Sequence, residues 1–353
     1  MRRGPLAALV ATVLLAVFAG VAAGAARATA DAASTAASLT AAGHYAAAIA
    51  LDEEIAKRTG PLFLLDRTDP QNAQLSAERT MLAWAASIER AGSVDQAVVL
   101  AGLVTDPRLA SSAGTERASL LLEAAKRDAQ RGDYVTALTR LDEIQNLGLA
   151  ATTPVQAQVN QLQPAYSVGA AGLLTAQGHG SEAVRLLDAA SRAGGAAAAA
   201  AADVYPQALL AAGEEQIAAQ SYKEAGTTLQ QLVSDYGDTA EALHARALLR
   251  APQPVSGALV DRAGAPLSGQ VRLSSHFFNE SGGYLTTGPF YYSRADANGN
   301  FRFDSVPQGG PYVLEVFHGG DWTTFVDPNT GQPANPVSVT PLQPVDLAFI
   351  AVP

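Results

Sequence analysis

Gly132-Asp-Tyr134-Val-Thr-Ala137 decides the reading of this chain, because the same phrase recurs at four other places. The other copies are Gly43-His-Tyr45-Ala-Ala-Ala48, Gly92-Ser-Val94-Asp-Gln-Ala97, Gly178-His-Gly180-Ser-Glu-Ala183 and Gln220-Ser-Tyr222-Lys-Glu-Ala225. Each has a turn residue, a second residue two positions on, and Ala five positions on. Seven residues before each turn stands a small residue: Ala36, Ala85, Ala125, Ala171 or Gly213. A further apolar stripe follows the Ala, as in Leu141 and Ile144, Leu187 and Ala190, or Leu229 and Leu232. These spacings are those of a helix–turn–helix hairpin. Small residues on both helices let the backbones approach, and Gly ends the first helix at little steric cost.

The placing of small residues, Gly, Tyr and Ala resembles the tetratricopeptide repeat. Arg117–Leu149 is the clearest copy, and the second copy adds Trp84 and a terminal Asp106-Pro107. The turns lie at 43, 92, 132, 178 and 220, farther apart than the ~34 residues usual for that repeat. Longer helices or inserted loops are therefore expected, with Gly60–Asn72 and Leu147–Pro154 as the candidates. A generic Ala-rich helical bundle is the competing reading, and both give antiparallel helix pairs with local contacts.

Outward from the repeats, composition changes near Ala251. Residues 31–250 hold 54 Ala in 220 positions, whereas residues 251–353 hold 9 in 103 and carry 12 of the 19 Pro and 13 of the 22 aromatics. Ala favours helix, while Pro and Gly punctuate turns and aromatics favour strands. The expected fold is multidomain: an all-α repeat region over 31–250, a Pro-rich linker over 251–255, and an all-β sandwich of seven or eight strands over 256–353. Apolar alternation marks strands at Val255–Val260, Gln270–Ser275, Phe290–Arg294, Asn300–Asp304, Tyr312–Phe317, Trp322–Val326, Pro336–Thr340 and Val345–Ile350.

Val255-Ser-Gly257, Gly264-Ala-Pro266-Leu267-Ser-Gly269, Gly299-Asn-Phe301-Arg-Phe303, Val306-Pro307 and Tyr312-Val-Leu314-Glu-Val316 follow one another in the order of the carboxypeptidase regulatory-like (transthyretin-like) domain, which the tail resembles. The long stretches His276–Pro289 and Asp327–Asn335 depart from that pattern. The resemblance implies a non-catalytic structural or binding module.

Arg2-Arg3, an uncharged run from Leu6 to Ala26, and Ala26-Arg27-Ala28 read as a signal peptide over 1–28, cleaved near Ala28–Thr29. The alternative is an uncleaved anchor, since ~20 apolar residues cross a bilayer. Either places the rest of the chain outside the cytosol, in a bacterial-type envelope or secreted. The chain has no Cys, so disulfides, thiolate metal sites and a Cys nucleophile are excluded. A net charge of -10 argues against a nucleic-acid partner.

No Gly-x-Ser-x-Gly, His-Glu-x-x-His or phosphate-binding loop occurs, so no catalytic constellation and no cofactor are expected. His276 and His318, with Glu280, Asp321 and Asp327, lack paired ligand spacing. Asp296-x-Asn298-x-Asn300 opens like a calcium loop, but Pro307 stands where the bidentate Glu belongs, so a turn is expected. His44, His179 and His244 read as surface or capping residues, and Asn279-Glu-Ser281 as a sequon without consequence. In a tetratricopeptide-like array the first helices line a groove, which points to Arg79, Leu82, Glu89, Leu122, Lys126, Leu210 and Glu214 as partner-contacting positions. The expected function is an exported, non-catalytic adaptor or scaffold that binds a protein partner. The alternative is a carbohydrate-binding cell-surface protein acting through the aromatics Phe277-Phe278, Tyr284 and Phe290-Tyr291-Tyr292, although alternate rings would fill the sandwich core.

Overall fold

The computed structural model describes residues 27–57, 68–150, 153–280, 283–324 and 336–352. Helix α1 covers 27–41. It is followed by α2 (Tyr45–Ala56), α3 (Thr68–Arg90), α4 (Val94–Gly102), α5 (Ala110–Gln130), α6 (Tyr134–Asn146), α7 (Pro154–Ala176), α8 (Gly180–Ala193), α9 (Gly195–Ala218), α10 (Tyr222–Asp235) and α11 (Ala240–Arg250). Among the described residues eight strands follow: β1 (Gln253–Val260), β2 (Gly269–Glu280), β3 (Gly283–Ala295), β4 (Asn300–Val306), β5 (Gly309–His318), β6 (Asp321–Thr324), β7 (Pro336–Val339) and β8 (Val345–Ala351). The signal-peptide expectation falls almost wholly outside the described residues, with the Ala28–Thr29 bond in the first turn of α1. Among the described residues no helix is long and apolar enough to cross a membrane.

All five phrases lie at helix–helix bends. The turn residues Gly43, Gly92, Gly132, Gly178 and Gln220 have φ of 80, 94, 85, 82 and 60°. That region suits glycine and strains a side chain. The next helix starts two residues later each time, at 45, 94, 134, 180 and 222. Ala48, Ala97, Ala137, Ala183 and Ala225 are all fully buried, as are Ala85, Ala125 and Ala171 on the preceding helices. In the fifth hairpin, a Cβ on Gly213 would stand 2.4 Å from the Leu229 side chain, so α9 and α10 meet too closely for Ala there. The long period is explained by the first helices of the later hairpins. α3, α5, α7 and α9 have 23, 21, 23 and 24 residues, against 9 to 14 for their partners. Of Leu147–Pro154, residues 147–150 leave α6 as turn and loop and Pro154 opens α7, while most of Gly60–Asn72 lies outside the described residues.

The chain divides into two compact units, Met1–Ser167 and Val168–Pro353. In the first, like helices stand beside like. Thr40 of α1 and Thr80 of α3 bring their hydroxyl oxygens within 3.3 Å. Lys126 of α5 donates to Gln158 of α7 at 2.9 Å. Arg140 of α6 reaches Asp95 of α4 at 2.7 Å while its Nε holds Asp128 at 2.6 Å. Leu121, Leu141, Ile144 and Val159 fill the core beneath α5, α6 and α7. A buried carboxylate fixes the start of the third hairpin: Glu78 accepts from the backbone N–H groups of Thr105 and Asp106 at 3.0 and 2.6 Å.

The second unit holds α8 to α11 and all eight strands. Only Ala251 and Pro252 separate α11 from β1, so most of the stretch expected as a linker is strand. One sheet has the order β4-β1-β8, with β8 parallel to β1; the other runs β3-β2-β5-β6, with β7 on β5. Val255, Leu259, Phe301 and Phe303 of the first meet Val271, Leu273, Leu314 and Val316 of the second in one core. These are the inward members of each alternating strand. The described residues of His276–Pro289 continue the β2–β3 ladder, pairing His276 with Thr287 and Phe278 with Leu285.

The strand region also reaches into the helices of this unit. Leu342, at φ 67° in the turn between β7 and β8, lies buried in a cluster with Leu209, Leu229, Leu232, Ala242 and Ala245. Gln308 donates its side-chain amide to the carbonyls of Leu249 and Ala251. The change from helix to strand near Ala251 is thus bridged by apolar and polar contacts.

Candidate functional site

The groove positions named from the repeat pattern separate by chemistry. Leu122 is 3% exposed and belongs to the core under α5 and α6. Leu82 and Leu210 are half-buried against apolar clusters. Arg79 and Glu214 are exposed, and Glu89 and Lys126 are half-buried. Lys126 is held by Glu123 and Gln158 at 2.8 and 2.9 Å, and Glu214 lies 3.5 Å from His244. What these positions offer to solvent is therefore chiefly charge, with the leucines turned inward.

The histidines and the calcium-like loop have local structural explanations. His44 and His179 precede α2 and α8 as N-terminal cap residues, with no side-chain capping bond. The Asp296 carboxylate accepts from the N–H groups of Asn298 and Asn300 at 2.8 and 2.9 Å, closing the β3–β4 turn around Gly299 at φ 82°. His276 bonds Ser275 and stacks on Phe278, 6.4 Å between centroids. The side chains of Asn279, Glu280 and His318, and all of Asp327, lie outside what is described. Among the described residues no three of His, Asp and Glu are grouped to hold a metal ion.

Three carboxyl groups in the first unit are perturbed: Asp52, Asp106 and Asp133, the last lowered by its hydrogen bonds with Thr136. Asp52 is buried within α2, and neither carboxyl oxygen has a hydrogen-bond partner. Burial pushes its pKa up, opposed by the nearby Ser76 hydroxyl. Asp106 is held down to about 2, first by the hydrogen bonds from Arg108, with the Arg108 and Arg79 charges adding to them. Arg108 donates to both Asp106 oxygens and to the Gln71 carbonyl, which makes this a brace between α3 and the turn before α5.

The aromatics of the β region divide by strand alternation. Tyr291, Phe301, Phe303 and Tyr312 face the shared core, whereas Tyr292 and Phe317 stand 63% and 41% exposed. The outer face of the five-stranded sheet is built around Arg272, which the register sets opposite Tyr292 on one side and Glu315 on the other. Its guanidinium grips Glu315 at 2.6 and 3.1 Å and lies 4.3 Å from the Phe290 ring centroid and 4.2 Å from that of Trp322. Glu315 is only 2% exposed and also accepts from Thr286 and Thr324 at 2.9 and 3.3 Å. The charges are thus satisfied within the sheet surface. The sequence signal was present: Arg272 and Glu315 occupy the outward phase of strands otherwise filled by Val and Leu. Their pairing depends on β2 lying beside β5, which no local pattern states.

No protein-family model and no curated protein sequence matches the chain.

Proposed function

We propose that this chain is an exported, non-catalytic adaptor of a cell envelope, in which a tetratricopeptide-like array binds a protein partner and a carboxypeptidase regulatory-like sandwich closes its C-terminal end. The observation that carries this reading is the like-beside-like order of the helices in the first unit. Thr40 with Thr80 and Lys126 with Gln158 link successive first helices, and Asp95 with Arg140 links successive second helices. A closed bundle wraps one core; a stack of hairpins leaves a row of first helices whose outward residues face a common surface. In this reading Arg79, Glu89 and Lys126 contact the partner through charge, and the interior Leu82 and Leu122 hold their helices in place. Burial of apolar partner residues supplies affinity, and the charged positions set specificity and association rate.

Pull-down of the full-length chain from an envelope fraction tests the proposal. The expected result is a stoichiometric protein that an Arg79→Glu, Lys126→Glu variant fails to retain while remaining folded by circular dichroism. No partner for the unmodified chain, or equal retention by the variant, refutes it.

A further inference from the structure

We propose that the outer face of the five-stranded sheet is a binding site for a neutral oligosaccharide chain. The solvent face of an antiparallel sheet is ordinarily polar. Here Phe290 and Tyr292 of β3, Trp322 of β6 and Phe317 of β5 are linked ring to ring, with Arg272 of β2 against Phe290 and Trp322. Successive centroids are 6.2, 6.0 and 5.5 Å apart, with planes inclined at 46, 63 and 61°. Tyr292 and Phe317 are exposed, and the half-buried Phe290 and Trp322 join them into one aromatic patch, which on a folded domain marks an interaction surface. The evenly stepped rings fit a ligand whose apolar faces repeat along a chain.

Charge selects among such ligands. Arg272, at the centre of the row, is consumed by Glu315 and by two ring faces, while Arg294, two residues from Tyr292 on the same face of β3, stands exposed at its edge. Glu315 in turn is saturated by Arg272, Thr286 and Thr324. The pair neither calls for a counter-ion nor offers one, and the chain carries a net charge of -10, which repels acidic polymers. Sugar rings present C–H faces that lie against aromatic rings and hydroxyls that bond at the rim, where Tyr292 supplies an exposed phenol. Arg272 is a positioning residue: it fixes Phe290 and Trp322 on either side of itself, and the rings make the contact.

This site is separate from the helical surface proposed above, so either can fail alone. The two tryptophans are Trp84 and Trp322, and Trp84 stacks on Tyr45 within the first unit. In a full-length Trp84→Phe chain, all tryptophan emission reports on Trp322. Titration with soluble neutral polysaccharides (a β-glucan, a mannan, a galactan) is expected to shift that emission saturably for at least one of them. Tyr292→Ala, which removes an exposed ring, is expected to weaken binding by about tenfold in a chain that stays folded by circular dichroism, the loss of one aromatic contact of roughly 1.4 kcal/mol. Four results each overturn the proposal: no shift with any neutral polymer, a shift only with heparin or polygalacturonate, self-association lost in Tyr292→Ala, or an envelope protein whose capture depends on Tyr292.

Discussion

Replacing Gly180 with Ala tests how closely α8 and α9 approach. At this position the other hairpins carry Tyr or Val, and the fourth carries no side chain. A Cβ built there would lie 2.0 Å from the backbone N of Ala212 and 2.3 Å from the carbonyl carbon of Ala211. Ordinary contact begins near 3.4 Å, so α9 must retreat by 3.4 − 2.0 = 1.4 Å or α8 must tilt. The obstacle is backbone, which has no rotamer to turn away. Retreat would also open the layer formed by Ala183, Leu187, Ala190, Ala201 and Ala208. Overpacking costs ~1–3 kcal/mol, and a gap of this size forfeits much of the dispersion along the interface. The helix-propensity gain of Gly to Ala returns at most ~1 kcal/mol. Gly180→Ala should therefore destabilise the second unit by about 2–3 kcal/mol. Gly226 is the control: it lies inside α10 with no heavy atom within 4 Å of its added Cβ, so Gly226→Ala should stabilise by up to ~1 kcal/mol. Urea unfolding by circular dichroism, with hydrogen exchange at α8 and α9 amides, measures both. An unchanged or raised midpoint for Gly180→Ala, or the same sign for both variants, would refute the packing argument.

The bends make a second pair of predictions. Gln220 is the one phrase turn without glycine, at φ 60°, so Gln220→Gly should gain about 1 kcal/mol; Gly132→Ala, whose Cβ meets nothing within 4 Å, should lose about as much through backbone strain alone. Leu342→Ala should cost about 3 kcal/mol by emptying the cluster at Leu209 and Leu229, read as earlier unfolding and faster amide exchange in α9 to α11. Asp106 has a folded pKa near 2, below its ordinary 3.8, so its contribution is complete above pH 4 and is lost as pH falls toward 2. Arg108→Ala should flatten that part of the stability–pH curve, and persistence of the slope would show that another carboxylate carries it. Asp52 is shifted the other way, so its contribution is present at acid pH and disappears as pH rises past the ordinary carboxylate range. Asp52→Asn should raise the urea midpoint at pH 7 and leave it little changed near pH 3.

The helical part of the fold was legible because its constraints are local. A positive-φ residue, a close-packed Ala five positions on and a small residue seven positions back all act within one hairpin. Thirteen residues of sequence therefore carry the geometry. Strand positions were legible for the same reason, since alternation records only which face of its own strand a residue occupies. Legibility stopped where a residue answers to something distant. Gly180 looks like a lapse in the Tyr pattern until α9 is seen lying against it, some thirty residues on. Leu342, between Pro341 and Gln343, reads as turn filler, yet it accepts a left-handed backbone to reach α9, α10 and α11. The parallel pairing of β1 with β8 joins segments ninety residues apart, and alternation is silent on it.

Arg272 and Glu315 show the same limit at the candidate binding face, and they also show what a charged pair can do there. A buried salt bridge is seldom the cheapest way to stabilise a sheet, because desolvation offsets most of the attraction. Val or Thr on the outward phase of β2 and β5 would serve stability as well. What the pair adds is position: the planar guanidinium fixes its own orientation through two hydrogen bonds to Glu315, and its central carbon lies 4.3 and 4.2 Å from the Phe290 and Trp322 ring centroids. Rings held by apolar packing alone would be free to fold down onto the sheet. The Arg272–Glu315 pair keeps Phe290 and Trp322 on either side of a fixed plane, and Tyr292 and Phe317 lean on Trp322 from there. Arg272→Lys separates the two roles, since Lys retains charge but loses the plane and the fork. If the pair serves orientation, this variant should lose sugar-dependent Trp322 emission while keeping most of its stability. If it serves stability alone, the melting temperature should fall and the binding response should survive in the folded fraction.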